Sequence, residues 1–118
     1  MASPLVGAWE LVSDTRQGVH IYTETHYSIV MMSKDRQRIE EPTTDDILEG
    51  YRDVAALAGT YTVSGSKITL HRIANTRAEV IGMDIEGEFT IEGDKLTLHP
   101  ISGTSRRGGG DQVLRKVS

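Results

Sequence analysis

The stretch YTVSGSKITLH at residues 61–71 returns almost unchanged as FTIEGDKLTLH at residues 89–99. Thr, Gly, Lys, Thr, Leu and His recur at matching places, while Tyr/Phe, Val/Ile and Ile/Leu exchange conservatively. A two-residue turn at Gly65-Ser66, with glycine at its first position, folds the first copy into a hairpin. Val63 then opposes Ile68 and Tyr61 opposes Leu70 on one side, with Thr62–Thr69 and Thr60–His71 on the other. The second copy turns at Gly93-Asp94 in the same way. Ile91–Leu96 and Phe89–Leu98 make its apolar side, and Thr90–Thr97 and Glu88–His99 its polar side. Such alternation marks half-buried antiparallel hairpins. Both terminal histidines fall on the polar face. The repeat therefore reads as one architectural device used twice, not as a two-histidine site.

The flanking sequence extends the pattern. GAWELVSD (7–14) is strand-like, with Trp9, Leu11 and Ser13 sharing a face. GVHIYTETHYSIVMMS (18–33) forms a third hairpin turning at Thr23–His26, which opposes Tyr22 to Tyr27 and His20 to Ile29. DQVLRKVS closes the chain as a last strand. About eight short strands at this spacing suit an all-β barrel. Closing the sheet on itself removes its exposed edges. One segment breaks the period: PTTDDILEGYRDVAALAG opens with Pro42 and Thr43, with Asp46 placed as a capping-box partner. Ile47, Tyr51, Val54 and Ala58 follow at helical spacing, flanked by Leu48 and Ala55, and Gly59 stops the run. The expectation is one helix over roughly 43–58, lying across a barrel mouth or side as a plug or as a lid whose Tyr51 meets ligand. Gly50 weakens its interior by about 1 kcal/mol relative to alanine.

A chain of 118 residues is one domain, large enough for a real core. It has no cysteine, which excludes disulfide and thiolate chemistry and suits a reducing compartment. MASPLVGAW lacks both the basic start and the apolar run of a signal peptide. No stretch reaches the roughly 20 apolar residues of a membrane span. A cytoplasmic location is expected. Thirteen Lys+Arg against seventeen Asp+Glu give a formal charge of −4, with the signs interleaved. That argues against a nucleic-acid partner, which needs concentrated basic surface. With one Trp, four Tyr and one Phe, base-stacking platforms are also disfavoured.

GAWELVS looks like the Gly-x-Trp opening of lipocalins and their calycin relatives. With HIYTETHYSIVMM, the "DR" at 35–36, the helix, GTYTV and GDKLTL in that order, the chain resembles the small bacterial lipocalin-like domain family over nearly its whole length. The resemblance implies an eight-stranded antiparallel up-and-down β-barrel with a central cavity. It also implies that Trp9 packs at one barrel end near a basic residue of the last strand. Arg115 and Lys116 are the candidates, and Arg115 is preferred because it shares a face with Val113 and Val117. Two departures stand out: only DTRQ separates the first two strands, where such domains often carry a longer loop, and His26 occupies a turn position where relatives usually have glycine.

The apolar face directed inward carries Trp9, Leu11, Tyr61, Val63, Ile68, Leu70, Phe89, Ile91, Leu96 and Leu98. Arg72 continues the face of Ile68 and Leu70. Facing the cavity it would anchor a ligand carboxylate, because a guanidinium–carboxylate pair is strong and directional; at the rim it would simply point to water. His20, Tyr22 and Tyr27 share one face of the 18–33 hairpin. Turned inward, they offer an imidazole and two phenols for binding a polar ligand tip or for proton transfer. Turned outward, they leave Val19, Ile21, Ser28 and Val30 to fill the core. The ligand-contact candidates are thus Trp9, Tyr22, Tyr27, Met31, Tyr51, Tyr61, Leu70, Arg72 and Phe89, and the catalytic candidates His20, Tyr22 and Tyr27. His20, His26, His71 and His99 show no metal-ligand spacing, so no metal or other cofactor is expected. SGTSRRGGGDQ has no Gly-Lys-Ser/Thr and no strand-to-helix context, so it reads as a mobile connection rather than a phosphate loop.

Two functions follow, with different cavities. A binding protein for an apolar or amphipathic small molecule needs a mainly apolar pocket with a polar anchor. A cofactor-independent isomerase, cyclase or lyase needs a buried His–Tyr pair in hydrogen-bond contact. A third reading has the barrel packed solid and working through its outer surface, as a homodimer.

Overall fold

The computed structural model describes residues 3–102 and 111–118. The chain runs β1 (Gly7–Val12), β2 (Arg16–Tyr22), β3 (His26–Ser33), α1 (Thr44–Asp53), β4 (Ala55–Ser64), β5 (Lys67–Asn75), β6 (Asp84–Glu92), β7 (Lys95–Ser102) and β8 (Gln112–Lys116), with a 3₁₀ turn at Ala78–Val80 before β6. Neighbouring strands pair antiparallel in sequence order, and β8 returns to β1, closing an eight-stranded up-and-down barrel. No described helix is long and apolar enough to cross a membrane. The connection read at SGTSRRGGGDQ lies, for residues 103–110, outside the described residues.

The three hairpins have the expected registers. Tyr61 pairs with Leu70 and Val63 with Ile68, Phe89 with Leu98 and Ile91 with Leu96, and Tyr22 with Tyr27 and His20 with Ile29. Gly65 and Gly93 have φ of 61° and 62°, and among the described residues no other residue type has a positive φ. That combination, positive at the first turn position alone, matches the right-handed twist of the flanking strands.

Of the hairpin 18–33, the face carrying His20, Tyr22, Tyr27 and Ile29 is the buried one, while Val19, Ile21 and Val30 are exposed. The core gathers at the end of the tight turns, where Leu5, Trp9, Tyr22, Tyr61, Phe89, Leu96 and Leu114 form one buried cluster. Trp9 is 1% exposed and donates its indole N–H to the Leu5 carbonyl at 2.9 Å. Val63 lies on the inward side, as its register requires, but at the barrel's edge, where it is 36% exposed.

Three expectations need correction. The cation over Trp9 is Lys116, whose Nζ lies 5.8 Å from the ring centroid, within cation–π range. Arg115 instead points outward to Glu10, at 3.8 Å. The reason is parity: fully buried Leu114 sets the inward face of β8, and Lys116 shares it. Second, α1 ends at Asp53 rather than near 58. The start is as expected, with Thr43 and Asp46 forming a reciprocal capping box. Residues 55–60 leave the helical pattern because β3 would otherwise present an unpaired edge, and they supply its ladder instead. Third, the apolar stripe of α1 does not pack: Ile47, Leu48 and Tyr51 are exposed. The helix is tied by polar contacts. Asp53 accepts from the Ser33 N–H at 3.1 Å, from the Ser33 hydroxyl and from Arg16 at 3.4 Å, and Tyr51 donates to the Thr76 carbonyl at 2.5 Å. The end of the Arg36 side chain lies where a side chain at Gly50 would stand.

Candidate functional site

Above the packed floor the barrel is hollow. A cavity of about 880 Å³ reaches from the level of Ile68 and Leu70 to the end where α1 and the 3₁₀ turn sit. Its wall is mainly aliphatic, with Leu11, Ile29, Met31, Leu57, Ile85 and Leu98 prominent. Each is an inward position of its strand, so the lining is a direct product of the period-two alternation.

Two buried polar side chains interrupt this wall. His20 is 1% exposed and its Nδ1 lies 3.1 Å from the Tyr22 hydroxyl. Its Nε2 has no hydrogen-bond partner. The Tyr22 hydroxyl makes no other hydrogen bond among the described residues, so counting bonds assigns the tautomer: the phenol donates to Nδ1 and Nε2 carries the ring proton. The reverse arrangement would leave both the phenol proton and Nε2 unsatisfied. Burial without a counter-charge pushes the His20 pKa down to about 3, so the imidazole is neutral. Burial likewise pushes the Tyr22 phenol well above its ordinary range, with the Tyr61 and Tyr27 phenols adding to it. The pair is therefore a fixed, uncharged hydrogen-bonded unit at the cavity's floor.

Arg72 is the second. It is 4% exposed, lines the cavity, and donates Nε to the Met83 carbonyl at 2.9 Å. Its backbone carbonyl accepts from Gly82 N–H at 2.7 Å, so the β5–β6 connection is folded onto this one residue from both directions. Tyr27, whose phenol is pushed up to about 12 by burial, feels the guanidinium as an opposing pull.

Of the ligand-contact candidates, Met31, Leu70 and Arg72 line the cavity, as does the catalytic candidate His20. Trp9, Tyr22, Tyr27, Tyr61 and Phe89 are buried beneath or behind it, in the packed floor. Tyr61 donates to the Thr23 carbonyl at 2.6 Å and Tyr27 to the His71 carbonyl at 3.4 Å, so both phenols are spent on backbone. Tyr51 stands outside, on the exposed helix. His71 lies on the outer face and pairs with Asp84 at 2.7 Å, while His99 borders the cavity and pairs with Asp111 at 2.9 Å. Among the described residues no group of three or more His, Asp or Glu is arranged to hold a metal ion.

Sequence reading missed Leu57 and Asn75, which face each other on β4 and β5 and line the cavity. Leu57 falls within the span expected to be helical, but it lies in β4. Asn75 is turned inward by a bulge: Ala58 pairs with Ala74 and Gly59 with Arg72, which leaves Ile73 as the extra residue. Parity counted without that bulge puts Asn75 on the wrong side. Comparison with protein families and with curated proteins returned no match to this chain.

Proposed function

We propose that this protein binds a small apolar or amphipathic molecule inside a lipocalin-like barrel. The observation that carries the reading is the cavity of about 880 Å³, mainly aliphatic, closed below by a packed floor and interrupted by a few buried polar groups. That is the composition of a small-molecule site: apolar area for affinity, sparse polar groups for orientation. The Trp9–Lys116 packing at the closed end agrees with the lipocalin-like assignment. The test uses the fluorescent probe anilinonaphthalene sulfonate, with dodecanoate as competitor. Bound dye should be displaced competitively, and Leu57→Trp, which places an indole in the empty space, should abolish dye binding without lowering the melting temperature. Dye fluorescence that ignores both dodecanoate and Leu57→Trp would place the dye outside the barrel and defeat the reading.

The His20–Tyr22 contact supports a second reading, a cavity enzyme of the isomerase, cyclase or lyase type working by acid–base chemistry. Its electrostatics run the other way. A base held near pKa 3 and a phenol held above its usual range both resist changing protonation state at neutral pH. A ligand recovered from the protein with an altered NMR spectrum would favour the enzyme; recovery unchanged favours the binding protein.

A further inference from the structure

We propose that the ligand is an amphipathic acid whose carboxylate is held by the guanidinium of Arg72. This rests on the cavity-binding reading and names the head group that the cavity selects. The Arg72 guanidinium is mostly shielded from water, with only its terminal nitrogens in reach of solvent, and an opposing charge placed against them is strengthened by the apolar surroundings. Arg72 is 4% exposed, yet among the described residues no carboxylate pairs with it. Its one hydrogen bond, from Nε to the Met83 carbonyl, fixes the plane of the fork and leaves both terminal nitrogens free of protein partners among those residues. This is the geometry that accepts two carboxylate oxygens side by side.

The other charges bordering the cavity do not substitute for such a ligand. Arg16 is engaged by Asp53, and Asp111 by His99. Glu88, opposite His99, and Glu79 of the 3₁₀ turn also border the cavity; neither forms an ion pair with Arg72, and Glu79 is engaged elsewhere. Arg77 stands half-buried where β5 gives way to the 3₁₀ turn, and is the alternative cation. The unpartnered Nε2–H of His20 adds a second, neutral donor on the wall, so both buried polar groups seek an acceptor. A cavity whose two buried polar groups are donors selects an oxygen-rich head over an amine. The aliphatic wall then takes the hydrocarbon or ring part of the acid.

The experiment compares dodecanoate with dodecanol as competitors of the dye. In the parent protein the acid should bind about ten- to a hundredfold more tightly, the range for a hydrogen bond to a charged group. Arg72→Met should erase that preference while dodecanol affinity holds, and Arg77→Gln should leave it in place. Because Arg72 also supports the β5–β6 connection, a measurement on the parent covers a variant that fails to fold. The carboxyl of carboxyl-¹³C dodecanoate, bound to the parent, should titrate below the free acid's range, because a guanidinium favours the ionised form. Equal binding of acid and alcohol, or a bound carboxyl that titrates above the free acid, would overturn the proposal while leaving the binding cavity intact. Loss of the preference on Arg77→Gln alone would move the head to the rim and overturn it as well. Failure of every probe to enter the barrel would instead sink the cavity reading, and this proposal with it.

Discussion

The imidazole of His20 enters the barrel with a phenol for company and no counter-charge, so it folds in the neutral form. Its pKa is about 3 in the folded protein against 6.5 for an ordinary histidine. Between those values the unfolded chain holds a proton that the folded chain does not. Stability from this group is therefore complete above about pH 6.5 and falls as pH drops toward 3, at up to about 1.4 kcal/mol per pH unit. Urea midpoints at pH 7 and pH 5 should fall more steeply in the parent than in His20→Leu. Equal falls would mean that His20 takes up its proton as readily when folded. Trp9 contributes through packing instead. Its indole is fully buried, bonded to Leu5 and covered by Lys116, so Trp9→Ala should cost about 3–5 kcal/mol. A denaturation midpoint equal to the parent's would show the indole to be peripheral.

The pairing of β4 with β5 depends on a single close approach. A Cβ at Gly59 would overlap the His71 carbonyl, and Ile73, the extra residue of the bulge, has its backbone N–H nearby. Glycine here does two things: it lets the two strands come together and it allows the bulge that swings Asn75 inward while Ile73 faces out. Gly59→Ala should force the strands apart and lower stability by about 1–3 kcal/mol, the usual range for overpacking. Thermal denaturation tests this, and an unchanged melting temperature would show that the ladder can shift at no cost. The helix α1 is built differently. Its start is fixed by the Thr43–Asp46 box, but its apolar stripe stays in solvent and its attachment is polar, through Asp53 and Tyr51. It sits at the hollow end of the barrel, where Val54, just past its last turn, lines the cavity.

The barrel is asymmetric along its axis, and function follows from that asymmetry. At one end the three hairpin turns are tight, and Leu5 brings the N-terminal segment under Trp9, so the interior fills with aromatic side chains. At the other end the β3–β4, β5–β6 and β7–β8 connections are longer, and the inward residues of β4, β5 and β6 are aliphatic or polar rather than aromatic. Large rings below and smaller groups above leave the upper half hollow. His20 and Arg72 lie where the filled half meets the hollow one, and each carries donors without a protein acceptor among the described residues.

The three hairpins, their registers and the helix start were legible in the sequence because each is local: an alternation of period two, a glycine at a turn, a Thr–Asp spacing. Strand number and closure followed by counting. The helix end was not legible, because VAALAG suits a helix as well as a strand, and only the unpaired edge of β3 decides between them. The inward face of 18–33 was equally open, since His, Tyr and Tyr on one side balance Val, Ile and Val on the other. Burial of the aromatic side wins because those rings meet Tyr61 and Trp9 contributed from other strands. Lys116 rather than Arg115 over Trp9, and Asn75 inside rather than outside, rest on parity set by partner strands and by one bulge. The sequence by itself determined the barrel, because pairing between neighbours in the chain is read along the chain. The emptiness of its upper half, and the buried Arg72 and His20 that border it, were decided only by tertiary structure, because a cavity is the volume that side chains from many separate strands fail to fill.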